Sequence, residues 1–249
     1  MPVQKETKIG EIVAQNYRSA QVFERYGLDF CCGGKKTISE ACNAKGVNPD
    51  NVISELKEMN GVENSSSSHF NTWKLDFLID YIVNNHHRYV DKMLPVIFMH
   101  SQKVAEKHGD NHNETRDIAE LFISIKNELE VHMQKEERML FPYIKHLLNM
   151  EQTGEEVPFP PFGSVENPVR MMELEHDAAG KQMEQIKQLS SNYLPPEDAC
   201  TTYKVLYQEL KEFENDLHMH IHLENNILFP RAVELEKKLT VNKSIINQL

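Results

Sequence analysis

Glycine and proline are scarce in this chain, 10 and 11 among 249 residues, and long stretches lack both. A many-turned β fold needs more of these turn formers, so helices are the expected elements. No apolar run reaches membrane-spanning length, and the opening Met-Pro-Val-Gln-Lys-Glu has no apolar signal core. The expectation is a cytoplasmic protein with no membrane partner. Only four cysteines occur, two of them adjacent (Cys31 and Cys32), which does not look like a disulfide framework. In a reducing compartment they remain thiols. Positive charge is also in deficit: 27 Lys and Arg against 38 Asp and Glu leave a net charge of −11, which argues against nucleic acid as a partner. Apolar residues still make up 40%, enough for a true core.

Residues 61–71 read as a linker, because the four-serine run Ser65–Ser68 cannot bury apolar surface. Residues 1–60 before it read as a small helical domain. Thr37-Ile-Ser-Glu40 has the form of a capping box, and Asn48-Pro49 that of an N-cap followed by proline at the first helical position. Between them lies the turn Asp29-Phe-Cys31-Cys32-Gly33-Gly34. Residues 72–249 read as four long helices: about 72–107 with a kink or break at Pro95, 113–149, 167–191, and 195–230 with a helical tail. Their short connections predict an all-α fold, an antiparallel four-helix bundle behind the small domain.

One pattern occurs twice, 88 residues apart. His132-Met-Gln-Lys-Glu136 is followed by Leu140-Phe141-Pro142, and His220-Ile-His-Leu-Glu224 by Leu228-Phe229-Pro230. Histidine and glutamate four apart share one helix face. Each of the last three helices carries one histidine in its apolar stripe. The stripes are Ile125, Leu129, His132, Glu136, Met139; Val169, Met172, His176, Ala179, Met183, Ile186; and Phe213, Leu217, His220, Glu224, Ile227. Helix one carries His86 and His87, and from His87 the steps to His132, His176 and His220 are 45, 44 and 44 residues. In an up-and-down bundle equal steps bring these groups to one level.

A single in-stripe histidine is ordinarily a hydrogen-bonded core residue, and a lone His-x-x-x-Glu a surface pair. Four such histidines with two glutamates are different. Two buried carboxylates close together repel, and cations remove that cost. Imidazole with carboxylate suits iron, manganese or zinc rather than calcium or magnesium. Two glutamates bridging two metals leave room for an oxo or hydroxo bridge and a small exogenous ligand. The expectation is a binuclear centre, iron first, with manganese left open by the donor set. On helix one the stripe Ile79, Ile82, Val90, Met93 selects His86 over His87. His218 and His222 flank His220 and are expected to face solvent, and His108 and His112 have no matching partner. Glu128, one turn before His132, and Glu175, beside His176, are candidate outer partners of the ligands.

Together these residues resemble the hemerythrin-like di-iron bundle, and more closely the repair-of-iron-centres family of iron–sulfur cluster repair proteins. The resemblance spans nearly the whole chain. It is carried by Tyr26-Gly-Leu-Asp-Phe-Cys31-Cys32-Gly-Gly-Lys, Glu175-His176-Asp177, Pro195-Pro196-Glu197-Asp198-Ala-Cys200-Thr-Thr and His222-Leu-Glu224-Asn225-Asn-Ile-Leu-Phe-Pro230. It implies metal ligands at His87, His132, Glu136, His176, His220 and Glu224, with both glutamates bridging. It favours His87 over His86 because Leu94-Pro95 keeps the family register. It also implies repair of clusters damaged by oxidative or nitrosative stress, by donation of iron, with damaged iron–sulfur proteins or assembly scaffolds as partners and a homodimeric state. Nitric oxide reduction, and reversible binding or sensing of oxygen or nitric oxide, are the alternatives at the same centre. For Cys31 and Cys32 the resemblance implies a redox or iron-handling role, with Lys35 and Lys36 expected to favour the thiolate. Cys42 and Cys200 are expected to be structural.

Overall fold

The computed structural model describes residues 3–60, 70–154 and 160–246, without the side chains of residue 60 and residues 241–246. Most of the expected linker therefore lies outside the described residues. Helices are the only regular elements among the described residues, beside one isolated antiparallel bridge between Lys8 and Thr37. The chain falls into two compact units, one of residues 1–79, 147–158 and 219–249, the other of residues 80–146 and 159–218. Three of the four boundaries lie within helices.

In the first unit, α1 (Ile9–Gln15), α2 (Ala20–Arg25), α3 (Ile38–Lys45) and α4 (Pro49–Asn60) gather around Ile9, Val13, Phe23, Phe30, Ile38, Val52 and Leu56. Local chemistry sets their ends. Glu40 N–H donates to Thr37 Oγ1 at 3.2 Å and Thr37 N–H to Glu40 Oε2 at 2.8 Å, a reciprocal cap that contributes about 1 kcal/mol. Gly46 closes α3 with φ +68°, open to glycine without strain. Asp50 N–H donates to Asn48 Oδ1 at 3.0 Å, just ahead of α4.

In the second unit, α6 (Arg88–His108), α7 (Glu114–Lys135), α9 (Glu166–Leu189) and α10 (Thr201–Leu223) form a bundle. α7 packs on α6 and α9, and Phe213 of α10 meets Phe122 of α7 and Tyr89 of α6 with ring centroids 5.7 and 6.4 Å apart. α6 runs through Pro95 without a break. α9 begins at Glu166, one residue before the expected start at Asn167, whose side-chain amide donates to the Phe162 carbonyl at 2.8 Å. α10 begins at Thr201, because Ala199 N–H folds back to the Pro196 carbonyl at 3.1 Å and keeps residues 195–200 in a turn.

The expected helices one, two and four are each interrupted by a π-helical turn. Ile82–His87 joins α5 (Leu75–Tyr81) to α6; Glu136–Leu140 joins α7 to α8 (Phe141–Thr153); Glu224–Leu228 joins α10 to α11 (Phe229–Ile246). Arg88, Phe141 and Phe229 donate their N–H groups to the carbonyls of Val83, Glu136 and Glu224, each five residues back. Such a turn holds one residue more than an α turn and shifts every later side chain around the axis. Met139 is consequently 51% exposed while Leu140 is buried, and Leu94 is buried where Met93 was expected. α9 has no such turn, and its buried residues are Val169, Met172, His176, Ala179, Met183 and Ile186, the stripe read from the sequence.

Candidate metal centre

The π turns set the donors. Glu136 and Glu224 each open one, and His87 closes the third. With the extra residue, the stripe that runs Ile79, Ile82 passes to His87 and on to Val90, Leu94 and Ile97, all buried. His86 is turned aside, its Nδ1 2.9 Å from Asp216 Oδ1 and its ring edge-on to Tyr81.

His87 Nε2 lies 3.4 Å from Glu136 Oε2, and His132 Nε2 lies 3.4 Å from the same oxygen. The Nε2 atoms of His132 and His176 face each other at 2.9 Å. His220 Nε2 is 3.2 Å from Glu224 Oε1. Two groups of donors result, with all ligating atoms within 4.8 Å of one another: His87, Glu136, His220 and Glu224 in one, His132, Glu136, His176 and Glu224 in the other. Both glutamates belong to both groups. Glu136 is fully buried, and neither of its carboxylate oxygens accepts a hydrogen bond. A buried carboxylate without donors is costly, and a cation held against it relieves that cost. Two imidazoles per group with two shared carboxylates fit a pair of first-row transition-metal ions.

Outer carboxylates aim the rings. His132 Nδ1 donates to Glu175 Oε2 at 2.8 Å, and His87 Nδ1 to Glu137 Oε1 at 2.7 Å, which leaves each Nε2 directed inward. The His132 hydrogen bond, together with Lys135 on its other oxygen, holds Glu175 down to about 2. Glu128 has no such place: it is exposed and accepts from Ser124 at 2.8 Å and Gln182 at 3.4 Å. Glu137 was missed in the sequence, although it follows the bridging candidate directly.

The cysteine turn is tied by one carboxylate. Asp29 Oδ1 accepts from the N–H groups of Cys31 and Cys32, both at 3.0 Å, and Oδ2 from that of Gly33 at 2.9 Å. The Cys31 thiol also donates to Asp29 Oδ1 at 3.2 Å, and the two sulfurs are 3.9 Å apart. The Cys32 sulfur beside it, burial and the Asp29 charge push the Cys31 thiol well up. The thiolate expected from Lys35 and Lys36 is therefore opposed at Cys31 by Cys32, by burial and by Asp29. Asp29, Cys31 and Cys32 form a third group of potential donors.

His222 corrects the expectation of a solvent-facing residue. It is 0% exposed, and burial pushes it down to about 3. Its ring packs against Tyr17 and Phe30 at centroid distances of 6.1 and 5.8 Å. Asn226, in the π turn that opens at Glu224, places its amide nitrogen 3.1 Å from His222 Nδ1 and 3.2 Å from the carbonyls of both Phe30 and Cys31. Gly10 and Gly34 make room for it: a Cβ on either would stand 2.2 Å from Asn226 Oδ1. Cys42 is buried in α3, as a structural cysteine should be, whereas Cys200 is exposed.

Two family models match the chain. Residues 5–60 match a domain of unknown function (DUF542, the ScdA N-terminal type), and residues 78–232 match the hemerythrin HHE cation binding domain. Among curated relatives, the iron–sulfur cluster repair protein YtfE of Yersinia pseudotuberculosis serotype O:1b (strain IP 31758) is 36% identical over 232 residues, 93% of this chain and 99% of that protein. The protein of the same name from Yersinia pestis (strain Pestoides F) gives the same identity and coverage.

Proposed function

Because the chain belongs to the repair-of-iron-centres family, with a hemerythrin-like bundle and a small helical leading domain, we propose that it repairs damaged iron–sulfur clusters by donating iron from a two-iron centre. In this reading His87 and His220 would hold one iron and His132 and His176 the other, with Glu136 and Glu224 available to both. The observation that carries it is the sharing of two buried glutamates by two otherwise separate His-His groups. The irons supply the cargo and the affinity for small ligands such as nitric oxide. The chain's own residues do the rest: Glu175 and Glu137 accept from the Nδ1 N–H groups of His132 and His87 and so direct Nε2 inward, and Phe141 stacks on the His87 ring at a centroid distance of 5.6 Å.

The donor set favours release. Two carboxylates and four neutral imidazoles do not cancel the charge of two ferrous ions, so the centre binds them less firmly than a carboxylate-rich cage. Cys31 and Cys32 then serve as iron-handling or redox thiols toward damaged iron–sulfur proteins or assembly scaffolds. The division into a domain at 1–60, a linker at 61–71 and a bundle at 72–249 belongs to the same reading, as do a cytoplasmic setting and a homodimer. No helix among the described residues is long and apolar enough to cross a membrane.

The test is metal analysis of anaerobically purified protein, followed by transfer to a ferrous chelator under reducing conditions. Two irons per chain, released within hours, are expected. Well under one metal per chain would overturn the centre, and negligible release would overturn donation. Sustained anaerobic turnover of nitric oxide with an electron donor would replace donation by reduction.

A further inference from the structure

The end of α6 and the start of α10 hold a group of side chains that the metal centre does not use. Cys200 immediately precedes α10, its carbonyl accepting from Lys204 N–H at 3.1 Å. Of the four cysteines it alone is exposed. His108, in the last turn of α6 and 92 residues earlier in sequence, places Nε2 3.2 Å from its sulfur. His112 stands behind, its ring centroid 6.4 Å from that of His108. Both His112 nitrogens face acids: Nε2 lies 3.0 and 3.1 Å from the two Asp198 oxygens, and Nδ1 lies 3.2 Å from Glu114 Oε1. Tyr203 walls the group, its ring 5.2 Å from His108 and its hydroxyl 3.3 Å from Glu114.

This is not a cation cage. His112 and its two acids are committed to one another, and the group is absent from the sets of three or more converging donors among the described residues. What remains is a nucleophile and a base in contact, Cys200 just ahead of α10 and His108 in the last turn of α6, with the thiol open to water. An imidazole within hydrogen-bond reach of a thiol activates it by taking its proton, and the unbonded N–H groups of a helix start favour negative charge developing on the sulfur. Cys31 and Cys42 lack this setting, since Cys31 is buried and donates to Asp29, and Cys42 is buried.

We propose that Cys200, served by His108, is a reversible thiol-modification site that exchanges with low-molecular-weight disulfides. His108 Nε2 takes the thiol proton, and the Cys200 sulfur attacks one sulfur of R–S–S–R. A Cys200–S–S–R bond forms, the original S–S bond breaks, and the departing thiolate takes the proton from His108 and leaves as R–SH. Cys200 is oxidised to the mixed-disulfide level and half of the reagent is reduced, so no further oxidant is needed. The site is independent of the metal centre and stands whether or not iron is donated.

The test exposes the full chain to glutathione disulfide at neutral pH and follows adducts by intact-mass and peptide mass spectrometry. One adduct on Cys200, removed by dithiothreitol, is expected ahead of any on Cys32. His108→Gln should slow its formation by at least about tenfold, a floor set beneath the roughly 100-fold low side of what a positioned base contributes, with helical circular dichroism unchanged. Should the variant misfold, the wild-type chain decides: Cys200 alkylation by iodoacetamide, followed against pH, should outpace N-acetylcysteine at pH 7. First modification at Cys32, a rate in a folded His108→Gln chain within twofold of wild type, or alkylation no faster than the free thiol would each overturn the proposal.

Discussion

Phe141 gives its backbone N–H to the carbonyl of Glu136, five residues back instead of four. Phe229 does the same with Glu224. In both copies the next residue is a proline, which has no N–H with which to restore the ordinary ladder at that point. The repeated Glu-x-x-x-Leu-Phe-Pro is thus a backbone device: it turns the following helix while the glutamate stays inside.

Deleting the exposed Met139 should remove that device. The helix beyond would rotate by about 100°, and Pro142 would fall inside a regular ladder at a cost of about 3 kcal/mol. Adding Pro142→Ala removes the proline penalty and leaves only the change of register. The compensated variant should fold, by circular dichroism, yet carry less than one iron per chain. Two irons in that variant would show that the π turn does not position Glu136.

Glu137→Gln and Glu175→Gln should each weaken metal affinity by about 10- to 100-fold, the usual effect of losing the carboxylate behind a ligating imidazole. Glu128→Gln should leave affinity unchanged, since Glu128 serves Ser124 and Gln182. Competition against a chelating dye separates the three variants.

Gly34→Ala and Gly10→Ala should each destabilise the chain by roughly 1–3 kcal/mol through collision with Asn226. For a chain of this size that lowers the midpoint of thermal unfolding by about 2–4 °C per kcal/mol. Asn226→Ala should rescue the two unequally. At Gly10 the next obstacle is the Gly34 carbonyl at 3.0 Å, whereas at Gly34 the Phe30 carbonyl remains at 2.7 Å. Calorimetry of the double variants should therefore show stronger rescue at Gly10.

The pair His112 and Asp198 predicts a pH window. The Asp198 hydrogen bond raises His112 from 6.5, so its contribution is complete below 6.5 and fades as pH rises through the raised value. The same bond lowers Asp198 from 3.8, so its contribution is complete above 3.8 and fades as pH falls through the lowered value. The stability difference between wild type and Asp198→Asn should be flat from about pH 3.8 to 6.5 and shrink on both sides. Urea unfolding at a series of pH values measures it; a difference that grows above pH 7 would refute the pairing. Asp198 is exposed, so the effect is small.

The all-α fold and the donor types were legible because periodicity and the spacing of histidines are local signals. α9 shows this best: with an unbroken α ladder, its six buried residues follow from the 3.6-residue period alone. The same period misplaced Met139 and Met93 and selected His86, since a helical wheel has no place for an added residue. The proline six residues after each glutamate was the available sign. His222 was misread because its cover comes from Tyr17 and Phe30, some 200 residues earlier in sequence, and no periodicity within α10 can announce it. His108 and Cys200 are likewise partners only in space.

The carboxylate of Asp29 holds three successive backbone N–H groups of the cysteine turn. Fixing a residue's backbone removes conformational entropy worth about 1–2 kcal/mol. Cys31, Cys32 and Gly33 have already lost that freedom on folding, so a molecule that meets the turn need not impose order on it. A partner docking there would meet a rigid body, and its affinity would depend on fit and chemistry with no loop to close first.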